Sequence, residues 1–270
     1  MTDQHTRPSR DIDPFTVIDT EGARFAAVLA GCDLDAPVPT CPGWSGRDLL
    51  KHVIEVHDFW AAVVGDGLMG DAVGDYEDKR APIDGDADEL LRQREEATGR
   101  LVAALRKRQP DEEAWSWFEP DQTVDFSRRM QTQEITLHRV DAELTAGVEL
   151  SPIADDVAAA GVDHVLDVML EWVPDSAEIT PTGVIELRAT DTGESWLLEL
   201  YRWNGTAWGS EFRDQIGGRR APAGAEPVAL VAGPVQQLDL TIWSRPSEVE
   251  QSGDEAALAE LRALLEFGIQ

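Results

Sequence analysis

Residues 133–144 read "QEITLHRVDAEL", an amphipathic helical stretch that carries Glu134 and His138. Each helical residue advances about 100°, so these two side chains stand ~40° apart on one face. Upstream, "GWSGRDLLKHVIEVH" (43–57) sets His52 beside Leu49, Val53 and Val56, which predicts an inward-facing imidazole on a second helix. His57 lies five residues further on, ~140° round, and is expected to point elsewhere. Asp48 and Glu55 share the side of His52 and suit a supporting role around it. Two imidazoles and a carboxylate, His52, Glu134 and His138, are the ligand types of a catalytic zinc that keeps a fourth position open. Facing helices of a bundle are one way to deliver them. Taken by itself, the spacing equally fits a surface Glu/His pair and a core histidine.

The surrounding text up to about residue 150 is helical. "DPFTVIDTEGARFAAVLAGC" (13–32) spaces Phe15, Ile18, Phe25, Val28 and Leu29 along one apolar face. Ser45 followed by Asp48 resembles a capping box that opens a helix over 46–64, with Gly65 and Gly67 ending it. Residues 66–88 are acidic and glycine-rich and read as a surface loop; their aspartates do not have EF-hand spacing. Helical periodicity returns over 87–108, and "RKRQP" suits a helix carboxyl end. A tryptophan-containing connection leads to the helix over 125–146, capped by Gly147. Four helices with one long connection describe a four-helix bundle over 12–150.

The pattern changes after Pro152. A helix over 154–172 turns Val157, Val162, Val165, Leu166 and Met169 inward. The runs "GVIELRAT" (183–190), "SWLLELYRW" (195–203), "TAWGSEF" (206–212) and "PVALVAG" (227–233) then read as strands, followed by helices over 234–243 and 253–266. The chain is therefore of the α+β class: a short flexible tail over 1–11, a helical bundle, and a smaller α/β carboxy-terminal domain over 151–270.

Composition narrows the partners. With 52 acidic against 23 basic residues the formal charge is -29, which argues against nucleic acid and anionic membranes. The sequence lacks a membrane-length apolar run and opens without a signal-peptide pattern, so a cytoplasmic location is expected. Cys32 and Cys41 cannot form a four-thiolate zinc site and are expected to be reduced and structural.

The words "VPTCPGWSGRDLLKHVIEVHDFWAAVV" (38–64) and "RRMQTQEITLHRVDAEL" (128–144) resemble the amino-terminal domain of the mycothiol-dependent maleylpyruvate isomerase family, a DinB-like four-helix bundle. "EPVALVAGPVQQLDLTIWSRPSEVEQSGDEAALAEL" (226–261) resembles that family's carboxy-terminal domain. The likeness is weakest over 66–125 and through the strands. It implies a divalent metal, zinc in the isomerase, on His52, Glu134 and His138, with mycothiol as the thiol cosubstrate. It implies further that Arg245, in "TIWSRPSEV", meets a substrate carboxylate, although the family often has Gly-Arg where this chain has Ser-Arg-Pro. Arg139 and Asp141 match the family's His-Arg-x-Asp word, with Asp141 either a helix salt-bridge partner or a support for the ligands. Trp44 is expected to pack at the helix entrance.

Three functional readings follow. The first is a zinc-dependent enzyme that transfers mycothiol to a small electrophile, or adds and eliminates it to isomerise an unsaturated carboxylate. The second is a non-catalytic, metal-containing ligand-binding or regulatory protein. The third is a metal-free helical scaffold.

Overall fold

The computed structural model describes residues 10–267. It is an α+β structure in two compact units: Ile12–Ser151 is one, and the described residues from Pro152 on, with Arg10 and Asp11, are the other. Among the described residues no helix is long and apolar enough to cross a membrane.

The first unit contains α1 (Pro14–Ala30), α2 (Gly46–Ala62), α3 (Asp71–Lys79), α4 (Ala87–Lys107) and α5 (Val124–Ala146). Each long helix starts on a polar cap: Asp13 with Pro14 behind it, the Ser45/Asp48 box, Asp86, and Thr123. These caps satisfy amides that the first helical turn leaves unpaired. α5 stops at Gly147, whose φ of +65° is the left-handed conformation a helix end favours. α1 packs on α5 and α2 on α4, while α1–α4 and α2–α5 contacts close the bundle. Ile18, Phe25, Leu49, Leu50, Leu90, Leu101 and Phe126 are its fully buried centre.

The region expected as a loop over 66–88 holds a helix, α3. Only Val73 of α3 is buried, so the segment has no apolar stripe to announce it. α2 also gives way to a π turn over Val63–Gly67 rather than running on as an α-helix.

The second unit opens with α6 (Asp155–His164), which continues as a π turn over Val165–Met169 instead of the single α-helix expected to residue 172. Then follow β1 (Glu178–Ala189), β2 (Ser195–Ala207), β3 (Ser210–Arg220), β4 (Ala229–Gly233), α7 (Val235–Ile242), β5 (Glu250–Gly253) and α8 (Glu255–Phe267). The sheet order is β3-β2-β1-β4-β5, with β1 and β4 parallel and the other pairs antiparallel. Trp203, Leu198, Leu200, Ile185 and Val231 lie buried in this unit. The run "TAWGSEF" is not one strand: Thr206 and Ala207 end β2, Ser210, Glu211 and Phe212 begin β3, and Trp208 and Gly209 between them, both at positive φ (50° and 76°), form the turn. Paired positive φ values match the right-handed twist of the flanking strands.

Of the tail expected over 1–11, residues 1–9 lie outside the described residues. Arg10 is anchored, donating to Asp163 and Glu194 at 2.8 Å each. Asp163 also accepts from Trp196 Nε1 and from Arg220, which joins the start of the chain to α6 and the sheet.

Candidate metal centre

α2 and α5 bring three polar side chains together. Glu134 Oε1 lies 3.0 Å from His52 Nε2 and 3.1 Å from His138 Nε2. One ligand atom from each residue falls within 4.8 Å of the others. Donors about 2.0–2.2 Å from a tetrahedral metal stand about 3.3–3.6 Å apart. The two separations from Glu134 are close to this, and a spread of no more than 4.8 Å lets the set draw in around a divalent ion. Side-chain exposures of 28% for His52 and 10% for His138 show that the cluster opens on the His52 side.

His138 is held from behind. Its Nδ1 lies 2.9 Å from Asp141 Oδ2, which leaves Nε2 directed at Glu134. Asp141 is fully buried and its other oxygen accepts from Thr40 Oγ1 at 2.6 Å. A carboxylate of this kind fixes the ring's orientation and raises its basicity. Asp141 therefore supports a ligand, whereas Asp48 does not: its carboxylate is occupied by the Ser45 amide and hydroxyl in the capping box. Arg139, between the two, faces α1. Its guanidinium meets Glu21 and the buried Glu143, so the His-Arg-x-Asp word couples a ligand-type residue, an interhelical tie and a ligand support in one turn.

The loop before α2 completes the rim. Val38 donates to the Trp44 carbonyl at 2.9 Å and Gly46 to the Ala36 carbonyl at 2.9 Å, which folds residues 36–46 back on themselves. This seats the Trp44 ring 4.8 Å from the ring of His52 and 6.5 Å from that of His138. The same turn delivers Thr40 to Asp141, a role that no spacing rule in the sequence announces.

The cluster carries a strong internal field. Burial opposes charge on Glu134, but His138 and His52 beside it hold its carboxyl well below the usual range. Burial likewise disfavours the His138 imidazolium, and Glu134 with Asp141 outweighs it, raising His138 to about 9. Without a metal, then, a proton on His138 balances Glu134.

Residues 15–143 match the family model described as the mycothiol maleylpyruvate isomerase N-terminal domain. The bundle belongs to that family. Two solved structures share the wider architecture: the mycothiol-dependent maleylpyruvate isomerase and a histidine-to-alanine mutant of it. Each matches at a TM-score of 0.60 and 14% identity, over 89% of this chain and 92% of that one. At that identity the likeness speaks for the fold. No curated protein matches the chain.

In this bundle His52, Glu134 and His138 converge as their spacing suggested. His57 points away from this cluster, as its angle on α2 suggested. It is fully buried, with Nδ1 2.9 Å from Thr98 Oγ1 of α4. Arg245 belongs to the second unit. It follows a helix end in which Trp243 donates to Asp239 and Arg245 donates from its amide to the Leu240 carbonyl at 2.8 Å. That six-residue closure requires a left-handed residue in between, and Ser244 supplies it at φ +62°. The Arg245 side chain is buried, with Nη1 donating to the Trp243 carbonyl at 2.7 Å. Cys32 and Cys41 are free thiols, and Cys41 Sγ lies 3.9 Å from Asp141.

Proposed function

We propose that this chain is a divalent-metal enzyme, with zinc the fitting ion, that uses the low-molecular-weight thiol mycothiol. Its reaction is either S-transfer to a small electrophile or addition and elimination on an unsaturated carboxylate, with cis–trans isomerisation as the outcome. The observation that carries this reading is the convergence of His52 Nε2, Glu134 Oε1 and His138 Nε2 at 3.0–3.1 Å.

A divalent metal held there supplies a Lewis acid that keeps a thiol sulfur deprotonated near neutral pH. The protein then has no need of a nucleophilic cysteine of its own. Glu134 provides the negative charge of the donor set, and the two imidazoles are its neutral donors. Asp141 fixes the tautomer of His138 in which Nε2 is the donor atom, and Thr40 holds Asp141 in turn. Trp44 packs its ring 4.8 Å from that of His52 at the rim and helps hold it in place. In the second unit, Arg245 is the group we assign to a substrate carboxylate, since a guanidinium presents two parallel N–H donors to it.

Purified protein reconstituted with zinc at neutral pH should hold about one ion per chain, and His52→Ala should hold far less. The wild-type protein should consume mycothiol in the presence of a generic electrophile, in a zinc-dependent way that His52→Ala lacks. Bound zinc without thiol consumption would leave the ligand-binding reading, and no bound zinc after reconstitution would overturn both.

A further inference from the structure

Arg94 of α4 packs its guanidinium against α1, with 7% of its surface exposed and its Nε fully buried. Other arginines of this unit have acids: Arg92, Arg100, Arg108, Arg129 and Arg139 each meet a carboxylate. Arg94 does not. Among the described residues no hydrogen bond or ion pair reaches its guanidinium, and its Nε is fully buried without a partner. Asp19 and Glu95 are near enough to influence its charge, but both are exposed and neither bonds to it. A buried cation ordinarily has an anion beside it.

The guanidinium also has a built seat. A Cβ on Gly22 of α1 would lie 2.4 Å from Arg94 Nη2, so only glycine at this helical position leaves room for it. Glycine is a poor residue for the middle of a helix, and here its absent side chain is what the arginine occupies. Beside Arg94, a second buried group is incompletely matched. Thr98 Oγ1 donates to the Arg94 carbonyl at 2.9 Å, so it accepts from His57 Nδ1–H. That leaves His57 Nε2 as a bare acceptor, fully buried and unpartnered.

We propose that Arg94, seated on Gly22 where α4 packs on α1, is an anion site that takes a small monocarboxylate through the outer edge of its guanidinium fork. The planar fork matches a carboxylate in two parallel bonds, and the nearby acids Asp19 and Glu95 disfavour ligands of higher charge. None of the three donors of the metal centre bonds to Arg94.

The experiment is thermal unfolding of the full chain in sodium acetate against sodium chloride at matched ionic strength. The wild-type midpoint should rise with acetate and saturate, because a ligand bound only to the folded state stabilises it. Arg94→Met should remove the acetate-specific rise. Arg94→Lys, which keeps charge without the fork, should weaken apparent affinity on the order of tenfold. Gly22→Ala should weaken it by pushing the guanidinium off its seat. His52→Ala should leave the rise intact, which separates this site from the metal centre. A wild-type response equal in acetate and chloride overturns the proposal. So does a rise that survives in Arg94→Met, or one lost only in His52→Ala. Should Arg94→Met fail to fold, Arg94→Lys and Gly22→Ala decide: unchanged acetate affinity in both would reject it.

Discussion

Asp141 Oδ2 sits 2.9 Å from His138 Nδ1 and commits the opposite nitrogen of that ring to Glu134. Asp141→Asn keeps the shape of the side chain and removes the charge that orients the imidazole. Zinc affinity should fall by about 10- to 100-fold, as read by competition with a chromophoric chelator. Unchanged affinity would mean that the Asp141 contact serves packing alone.

His52 is the most exposed of the three donors, at 28% of its side chain. Its replacement by alanine therefore deletes a metal donor without opening a core cavity. We expect the far-ultraviolet circular dichroism of His52→Ala to match the wild type. Its thermal midpoint without zinc should change little, and the zinc-dependent increase in that midpoint should disappear.

The proton on His138 competes with any metal. Because the neighbouring acids raise this imidazole to about 9 despite its burial, it is protonated at neutral pH when no ion is bound. Zinc binding must release that proton, so apparent affinity should climb as pH rises towards about 9, by up to about tenfold per unit. Calorimetry in buffers of different ionisation enthalpy should count the proton released. An affinity that is flat between pH 6 and 8 would contradict this electrostatic picture.

His57 gives a second, independent pH signature. Burial, with Arg94 next in importance, lowers its folded-state value to about 3, against about 6.5 in an unfolded chain. Above pH 6.5 both states are neutral and it has no effect. Below that value the unfolded chain binds a proton that the folded one refuses. Stability should therefore drop by about 1.4 kcal/mol per pH unit from this residue as pH falls from 6.5 towards 3. His57→Phe should flatten that part of the denaturant-midpoint profile.

Ser244 at φ +62° closes α7 ahead of Arg245. A non-glycine residue there costs about 1 kcal/mol relative to glycine. Ser244 Oγ, however, donates to the Leu265 carbonyl at 2.9 Å, a bond of about the same worth. Ser244→Gly should therefore change stability by less than about 1 kcal/mol. Chemical denaturation measures it, and a larger change of either sign would show that one of the two effects dominates.

The parts of this molecule that could be read in advance are those where chemistry follows a period. The Ser45/Asp48 box, Gly147 and the inward faces of α2 and α5 are local patterns, and together they put His52, Glu134 and His138 in one place. What escaped lacks a period or depends on distant partners. α3 buries only Val73, so it looks like a loop. β5 is exposed along its whole length and pairs only with β4, leaving no alternation to detect. β3 pairs only with β2 and is largely unburied over its first half, so the aromatic turn at Trp208 was the stronger β signal. His57 turns away from His52 as the helical angle requires, but the angle alone does not tell that this second side is buried as well, against Thr98 of α4.

Glu134 Oε1 stands between imidazoles that come from two different helices, His52 of α2 and His138 of α5. One carboxylate thus ties the two helices across the bundle. Any cation seated among these three side chains would act as a rivet, so that drawing α2 away from α5 would mean giving it up.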